Sequence, residues 1–359
     1  MNKSILIIGA GAIGRGFIAP LFKSLNYKIS FMDNNKSLIS KLNKKKYTAA
    51  FAKNQGYEFS NVYIENIHHT SDSFDINYYD FIFICVGPRN YLSLVDFIKK
   101  YKNICYILEN DDKCAHNLRK ITGNKNIFFG IPDVISSNTA PAYLLKKDSL
   151  TTVSEVGNLV LENSLFKFPK KILVPSENKF REHWICKLFI HNAPHAVAAY
   201  LGSIYGHTYI HQAMKDKYIF NIVNGSIREI TNAIIKSKYS SHKFANYYMN
   251  KELKRFMNPK LFDPISRVAR DPIRKLSPDN RLILSMRMLV GLNLPFKNTA
   301  KGVKSVFFYK NNSDEKSLYL QKILATNGID KCIEEVCGIN SFDPLNKIIK
   351  NSKIKKYDF

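Results

Sequence analysis

The sequence predicts an α/β chain with an N-terminal doubly wound parallel sheet followed by a mainly α-helical C-terminal domain. Three observations carry this expectation. Short apolar runs of strand length alternate with segments of helical spacing through the first third of the chain. A glycine pattern, Gly9-x-Gly11-x-x-Gly14, lies between the first such run and the first helical segment. Beyond residue 180 the strand-type runs give way to long stretches of helical period. Alternation of this kind points to βαβ units, and a later all-helical region to a separate layer.

The elements follow in order. Residues 4–8, Ser-Ile-Leu-Ile-Ile, form a short apolar run ending in glycine, as a buried parallel strand does. Over 12–25 the apolar residues Ile13, Phe17, Leu21 and Leu25 recur every four positions, which is helical spacing. Residues 28–32 read as a second strand, closed by Asp33-Asn34-Asn35. Further strands are expected at 80–86, ending at Gly87-Pro88, and at 103–108, ending at Glu109-Asn110, with a helix over 92–100 between them. Residues 126–174 are expected to supply the far edge of the sheet with extra strands. The stretch 169–182, with Pro169, Pro175 and Lys170-Lys171, reads as a connection. This divides the chain into a dinucleotide-binding domain, 1–178, and a helical substrate domain, 179–359, with helices over 184–201, 209–236, 241–256 and 280–292.

Composition narrows the function classes. With 359 residues and a hydrophobic share of 45%, two domains with sizeable cores are within reach. No apolar run approaches the roughly 20 residues that span a bilayer. The N-terminal stretch carries four glycines and Arg15, which suits a phosphate-binding turn better than a secretion signal. The six cysteines (Cys85, Cys105, Cys114, Cys186, Cys332 and Cys337) form no Cys-x-x-Cys pair, so free thiols in a reducing, cytoplasmic setting are expected. A net charge of +25 is spread along the chain without a recognition motif. No specific nucleic-acid partner is expected, and the field favours small phosphorylated ligands instead. His191-x-x-x-His195 has ligand spacing but lacks the companion glutamate of a metal-binding helix, so no metal is expected. His68-His69 reads as a surface pair. Monomer and dimer both stay open.

The glycine pattern directly follows a strand and opens a helix, the Rossmann-type arrangement. The first glycine permits a tight turn, the second lets the backbone approach a pyrophosphate, and the third allows close helix–strand packing. Asp33 lies nineteen positions after Gly14 at the end of the second strand, where a carboxylate accepts hydrogen bonds from an adenosine ribose. The expected cofactor is NAD rather than NADP, because that carboxylate repels a 2′-phosphate. Gly9, Gly11, Ile13, Gly14, Asp33 and, at the end of a later strand, Gly87 are the expected cofactor-binding residues. Arg15 either guards the phosphates or caps the surface.

The second half holds Lys187-Leu-Phe-Ile-His191-Asn192-Ala-Pro194-His195. At about 100° per residue Asn192 falls roughly 140° and His195 roughly 80° from Lys187, on one side. His191, at roughly 40°, shares that face and rivals His195. Pro194 predicts a kink or a helix start nearby. Removing hydride from an alcohol requires a base for the hydroxyl proton and donors for the oxygen that gains negative charge. A lysine kept neutral by its surroundings, with an asparagine and a histidine, could supply both. A structural role for these residues stands equally open on the residues alone.

Lys187, Asn192 and His195, continuing into Ala199-Tyr-Leu-Gly202 and Gly206-His207, resemble the signature of the polyol-specific long-chain dehydrogenases. Gly9 to Ile18 and the stretch Arg267-Val-x-Arg270-x-Pro-x-Arg274-Lys275-Leu-Ser277, followed by Arg281-Leu-Ile, resemble the mannitol-phosphate branch of that family. The resemblance implies a site in the cleft between the two domains and no metal. It implies Lys187 as general acid/base, with Asn110, Asn192 and His195 holding the reacting oxygen. The expected reaction interconverts a polyol phosphate and a ketose phosphate, mannitol 1-phosphate and fructose 6-phosphate, with NAD(H). A hexuronate or another polyol is the rival substrate, and a non-catalytic NAD-binding protein the rival class. Asp133 resembles a family substrate residue, although Val134-Ile135 stands where an Arg-Ile pair is expected. Arg270, Arg274 and Lys275, with Arg267, form a basic cluster suited to a substrate phosphate or to a structural charge network.

Overall fold

The computed structural model describes residues 3–87, 90–162 and 166–355. Pro88, which figured in the sequence analysis, lies outside the described residues. The chain divides into two compact units, one running up to His183 with Lys260–Phe262, the other comprising Trp184–Pro259 and Asp263 onward.

The first unit holds an eight-stranded sheet. Its strands are β1 (Ser4–Ile8), β2 (Lys28–Asp33), β5 (Ile67–His69), β6 (Phe81–Ile84), β7 (Ile104–Ile107), β8 (Ile127–Asp133), β11 (Asn158–Leu161) and β12 (Ile172–Leu173). The order across the sheet is β12-β11-β8-β7-β6-β1-β2-β5. From β5 to β8 all neighbours are parallel; β11 pairs antiparallel with β8 and β12 parallel with β11, so both run against the rest. The six parallel strands thus take the doubly wound order, which reverses between β1 and β6. All five residues of β1 are buried, as a strand covered on both faces requires.

Two features of this unit differ from the expectation. A second sheet, β4-β3-β10-β9, is built from β3 (Lys46–Ala52), β4 (Tyr57–Tyr63), β9 (Ser136–Ser137) and β10 (Thr152–Ser154). Residues 126–174 therefore supply both sheets, not one edge. His68-His69 belongs to the edge strand β5, its backbone registered on Met32 and Asp33, with the His69 contacts on the exposed side. His68 is half-buried, stacked on Phe74 at 3.7 Å and 2.7 Å from the Tyr79 hydroxyl.

The second unit is helical. Its centre is the helix Asn192–Ile204, in which every residue but Ser203 is buried. Small side chains allow the close packing: a Cβ on Gly302 would collide with Val197, and one on Gly202 would sit 2.8 Å from Ala213. The predicted 209–236 helix is two, Ile210–Ala213 and Lys217–Lys236, because Asp216 caps the second by accepting from Tyr218 N (2.8 Å) and Ile219 N (3.1 Å). Among the described residues no helix is long and apolar enough to cross a membrane.

Both functional segments of helix contain a π-helical turn, Gly14–Ile18 and Cys186–His191, the second set between the α-helices Glu177–Ile185 and Asn192–Ile204. In each, a proline follows shortly, Pro20 and Pro194. A proline ring clashes with the carbonyl four residues back, and widening the preceding turn moves that carbonyl away. The kink expected near Pro194 is this wider turn, with the regular helix starting at Asn192.

Candidate active site

The glycine turn is built as the pattern requires. Gly9 has φ +97°, and a Cβ there would lie 2.5 Å from the Cys85 carbonyl oxygen. A Cβ on Gly14 would strike the Gly9 carbonyl and come within 2.9 Å of Ile7. Above Gly11, by contrast, an added Cβ meets nothing within 4 Å. Ile13 packs against the core of this unit, which leaves its backbone as the part able to serve a ligand. Asp33 Oδ2 accepts from Ala10 N (2.8 Å) and Oδ1 from Asn35 N (2.9 Å), so the carboxylate is held by the turn it faces. A cavity of about 520 Å³ lies here, lined by Gly9, Gly11, Asp33, Asn34, Val86 and Phe97 among others. It sits beyond the carboxyl ends of β1, β2 and β6, where the strand order reverses and open α/β sheets hold their ligands. Gly87, at φ +95°, donates to the Glu109 carboxylate at 2.7 Å. Glu109 is buried, and sequence reasoning assigned it no role.

Arg15 does neither of the things expected of it. It is buried, donating through Nε to Ala10 O (2.7 Å), through Nη1 to Leu150 O and through Nη2 to Asn138 Oδ1 (3.1 Å). It ties the glycine turn to the second sheet. Burial lowers its pKa, opposed by Tyr47, Asp148 and Asp33. In the same unit Asn110 is exposed, and Asp133 ends β8 as a buried residue.

In the second unit Lys187, Asn192 and His195 share one buried helical segment, at 6%, 9% and 5% exposure. The Asn192 N–H reaches back five residues to Lys187 O, so the regular-helix angles do not apply across this turn. His195 and His191 have different partners. His195 Nε2 is 2.8 Å from Asp263 Oδ2. The two atoms lack hydrogen-bond alignment, so the contact is electrostatic. Asp263 Oδ1 accepts from Arg267 Nε at 3.0 Å. Burial pushes the Asp263 pKa up, but Arg267 and His195 outweigh it and hold the carboxyl well below its ordinary range. His191 Nδ1 bonds Glu252 Oε2, while Glu252 Oε1 takes Arg255 Nη1 at 2.5 Å. Burial lowers the His191 pKa to about 4, against the opposing pull of Glu252. The two rings lie 5.0 Å apart, and His195 stacks on Phe256 at 4.8 Å and 8°. Asp263, Glu252, Arg255 and Phe256 were all missed, since nothing in their local sequence links them to the histidines.

The basic segment is less uniform than its sequence. Arg267 is committed to Asp263, and Arg274 Nε contacts Asp271 at 3.2 Å. Lys275 is buried with Nζ donating to Arg270 O; burial, with Arg274 and Arg281, drives its pKa well down. Arg270 is exposed. Arg281, 5% exposed, leaves Nε and Nη2 without a hydrogen-bond partner among the described residues. Burial and Arg274 bring its pKa to about 9. Among the described residues no group of three or more potential metal ligands occurs.

A doubly wound sheet with a glycine turn, joined to a helical unit carrying a buried lysine, defines a two-unit Rossmann-type dehydrogenase fold. Residues 3–77 match the mannitol dehydrogenase Rossmann domain, and residues 180–352 the mannitol dehydrogenase C-terminal domain. The chain belongs to the mannitol dehydrogenase family. It is 32% identical to a mannitol-1-phosphate 5-dehydrogenase of Clostridium acetobutylicum, over 98% of this chain and 99% of that one. It is 30% identical to the enzyme of that name from Buchnera aphidicola subsp. Baizongia pistaciae, over 94% of each. The fold is similar to Pseudomonas fluorescens mannitol 2-dehydrogenase, solved as a ternary complex with NAD and D-mannitol, with TM-score 0.74 and 14% identity over 98% and 94% of the two chains. A D-sorbitol dehydrogenase superposes with TM-score 0.70 and 12% identity over 97% and 92%.

Proposed function

We propose that this chain is an NAD-dependent oxidoreductase that interconverts mannitol 1-phosphate and fructose 6-phosphate. The observation that carries the reading is full-length similarity to mannitol-1-phosphate 5-dehydrogenases, with Lys187, Asn192 and His195 buried on one helical segment. Gly9, Gly11, Ile13, Gly14, Asp33 and Gly87 would hold the cofactor. Open space above Gly11 and the carboxylate of Asp33 on the same cavity fit a dinucleotide whose ribose is unphosphorylated. NAD, when bound, supplies the hydride acceptor. Lys187 takes the hydroxyl proton in the oxidative direction and returns it in the reductive one. Asn110, Asn192 and His195 hold the oxygen.

Asp133 orients the polyol chain, and Arg270, Arg274 and Lys275 bind the phosphate. Arg281 joins them, because a buried guanidinium with two nitrogens lacking a partner among the described residues is compensated by an arriving anion. The six cysteines, none in a disulfide among the described residues, support a reducing, cytoplasmic setting. The test is a nicotinamide absorbance assay over sugar phosphates, free polyols and hexuronates with NAD and NADP. Turnover of mannitol 1-phosphate with NAD is expected. Turnover confined to unphosphorylated compounds would overturn the substrate.

A further inference from the structure

His195 has two ring nitrogens, and only one can address a substrate if the other is committed. Nε2 is the committed one, 2.8 Å from Asp263 Oδ2. Asp263 is buried and kept ionised by Arg267, whose Nε and Nη2 both reach its other oxygen. Even without alignment, an imine-type lone pair on Nε2 would put electron density 2.8 Å from that anion and be repelled, so the ring proton belongs on Nε2. Ring rotation is restrained by Phe256, stacked nearly parallel at 4.8 Å, and by His191 at 5.0 Å. Nearby, the Glu252 carboxylate is paired with His191, Arg255 and Lys251.

We propose that Asp263 is the positioning residue of His195, holding the ring proton on Nε2 so that Nδ1 is the nitrogen presented to the substrate. The consequence for chemistry is specific. Neutral His195 then offers a lone pair and accepts from a substrate hydroxyl. It donates to a negatively charged oxygen only as an imidazolium, whose charge Asp263 balances. Arg267 accordingly serves Asp263 and is not a phosphate ligand.

This inference rests on the reading of His195 as a substrate-facing residue, but its first test needs no substrate. Nitrogen-15 NMR of selectively histidine-labelled full-length protein, with the His195 signals assigned through His195→Gln, reports the tautomer directly. A protonated Nε2 and unprotonated Nδ1 are expected at pH 8. The opposite tautomer overturns the proposal, whatever the substrate proves to be. The second test is Asp263→Asn, whose amide presents either its oxygen or its NH2 group to the ring. A mixed or inverted tautomer is expected, with kcat reduced at least about 10-fold and NADH affinity unchanged. An Asp263→Asn protein that keeps both the wild-type tautomer and the wild-type kcat would sink the idea. If no sugar phosphate turns over at all, the NMR result still decides the tautomer, so the two readings fail separately.

Discussion

Acid should loosen the helical unit through His191, and the size of the effect follows from its surroundings. Burial lowers the His191 pKa from 6.5 to about 4. Between those values an unfolded chain carries a proton that the folded chain refuses, so stability falls as pH falls through this window. Above pH 6.5 both states are neutral at this site and the term vanishes. At about 1.4 kcal/mol per pH unit, a gap of this size costs roughly 2–3 kcal/mol between pH 4.5 and pH 4. Trp184 is the only tryptophan, buried at the start of the helical unit, so its fluorescence reports that unit. The experiment is urea unfolding followed by Trp184 emission at pH 7.5, 6.5, 5.5 and 4.5, for wild type and His191→Gln. The variant loses the Glu252 contact and should be less stable at pH 7.5 by about 1–3 kcal/mol. Its further decline to pH 4.5 should nevertheless be shallower than that of wild type by roughly 2 kcal/mol. Parallel acid profiles for the two proteins would refute the assignment.

Other perturbations test the remaining parts. Glu252→Ala removes the buried carboxylate shared by His191, Arg255 and Lys251 and should cost the helical unit about 3–5 kcal/mol, more than Glu252→Gln, as read by the same fluorescence. Lys187→Met should lower kcat by roughly 10²–10⁴-fold while NADH still binds in a fluorescence titration, and unchanged turnover would remove Lys187 from the chemistry. Gly14→Val should abolish measurable NADH binding, since its Cβ already meets the Gly9 carbonyl, whereas Gly11→Ala should be milder for the free protein's stability. Arg281→Met should raise KM for a sugar phosphate at least about 10-fold and leave KM for NAD unchanged; equal effects on both would make Arg281 structural.

How much of this was legible in the sequence differs from element to element. Four parallel strands of the main sheet, β1, β2, β6 and β7, were readable because each is a short apolar run closed by a polar or glycine residue; β5 was not, since its two histidines read as a surface pair. The β3–β4 hairpin was not, because its alternation is weak and its sheet is completed by β10, which pairs Thr152 with Ala49 across about a hundred positions. Arg15 shows the same limit from the other side. Beside a glycine turn it looked like a phosphate ligand or a surface cap, and only the arrival of Leu150 and Asn138 makes it an internal tie.

Taken by itself, the amino-acid order determined what short-range chemistry can determine. It specified the glycine turn and its carboxylate, the alternation of strand and helix, and the single segment bearing Lys187, Asn192 and His195. The tertiary structure alone decided which carboxylate meets which histidine. Glu252 reaches His191 from 61 positions away, and Asp263 approaches His195 from a different element again. The physical reason is that a carboxylate has no local periodicity to announce its partner. Its worth depends on burial and on a neighbouring charge within a few ångströms, and both exist only once the helices have packed.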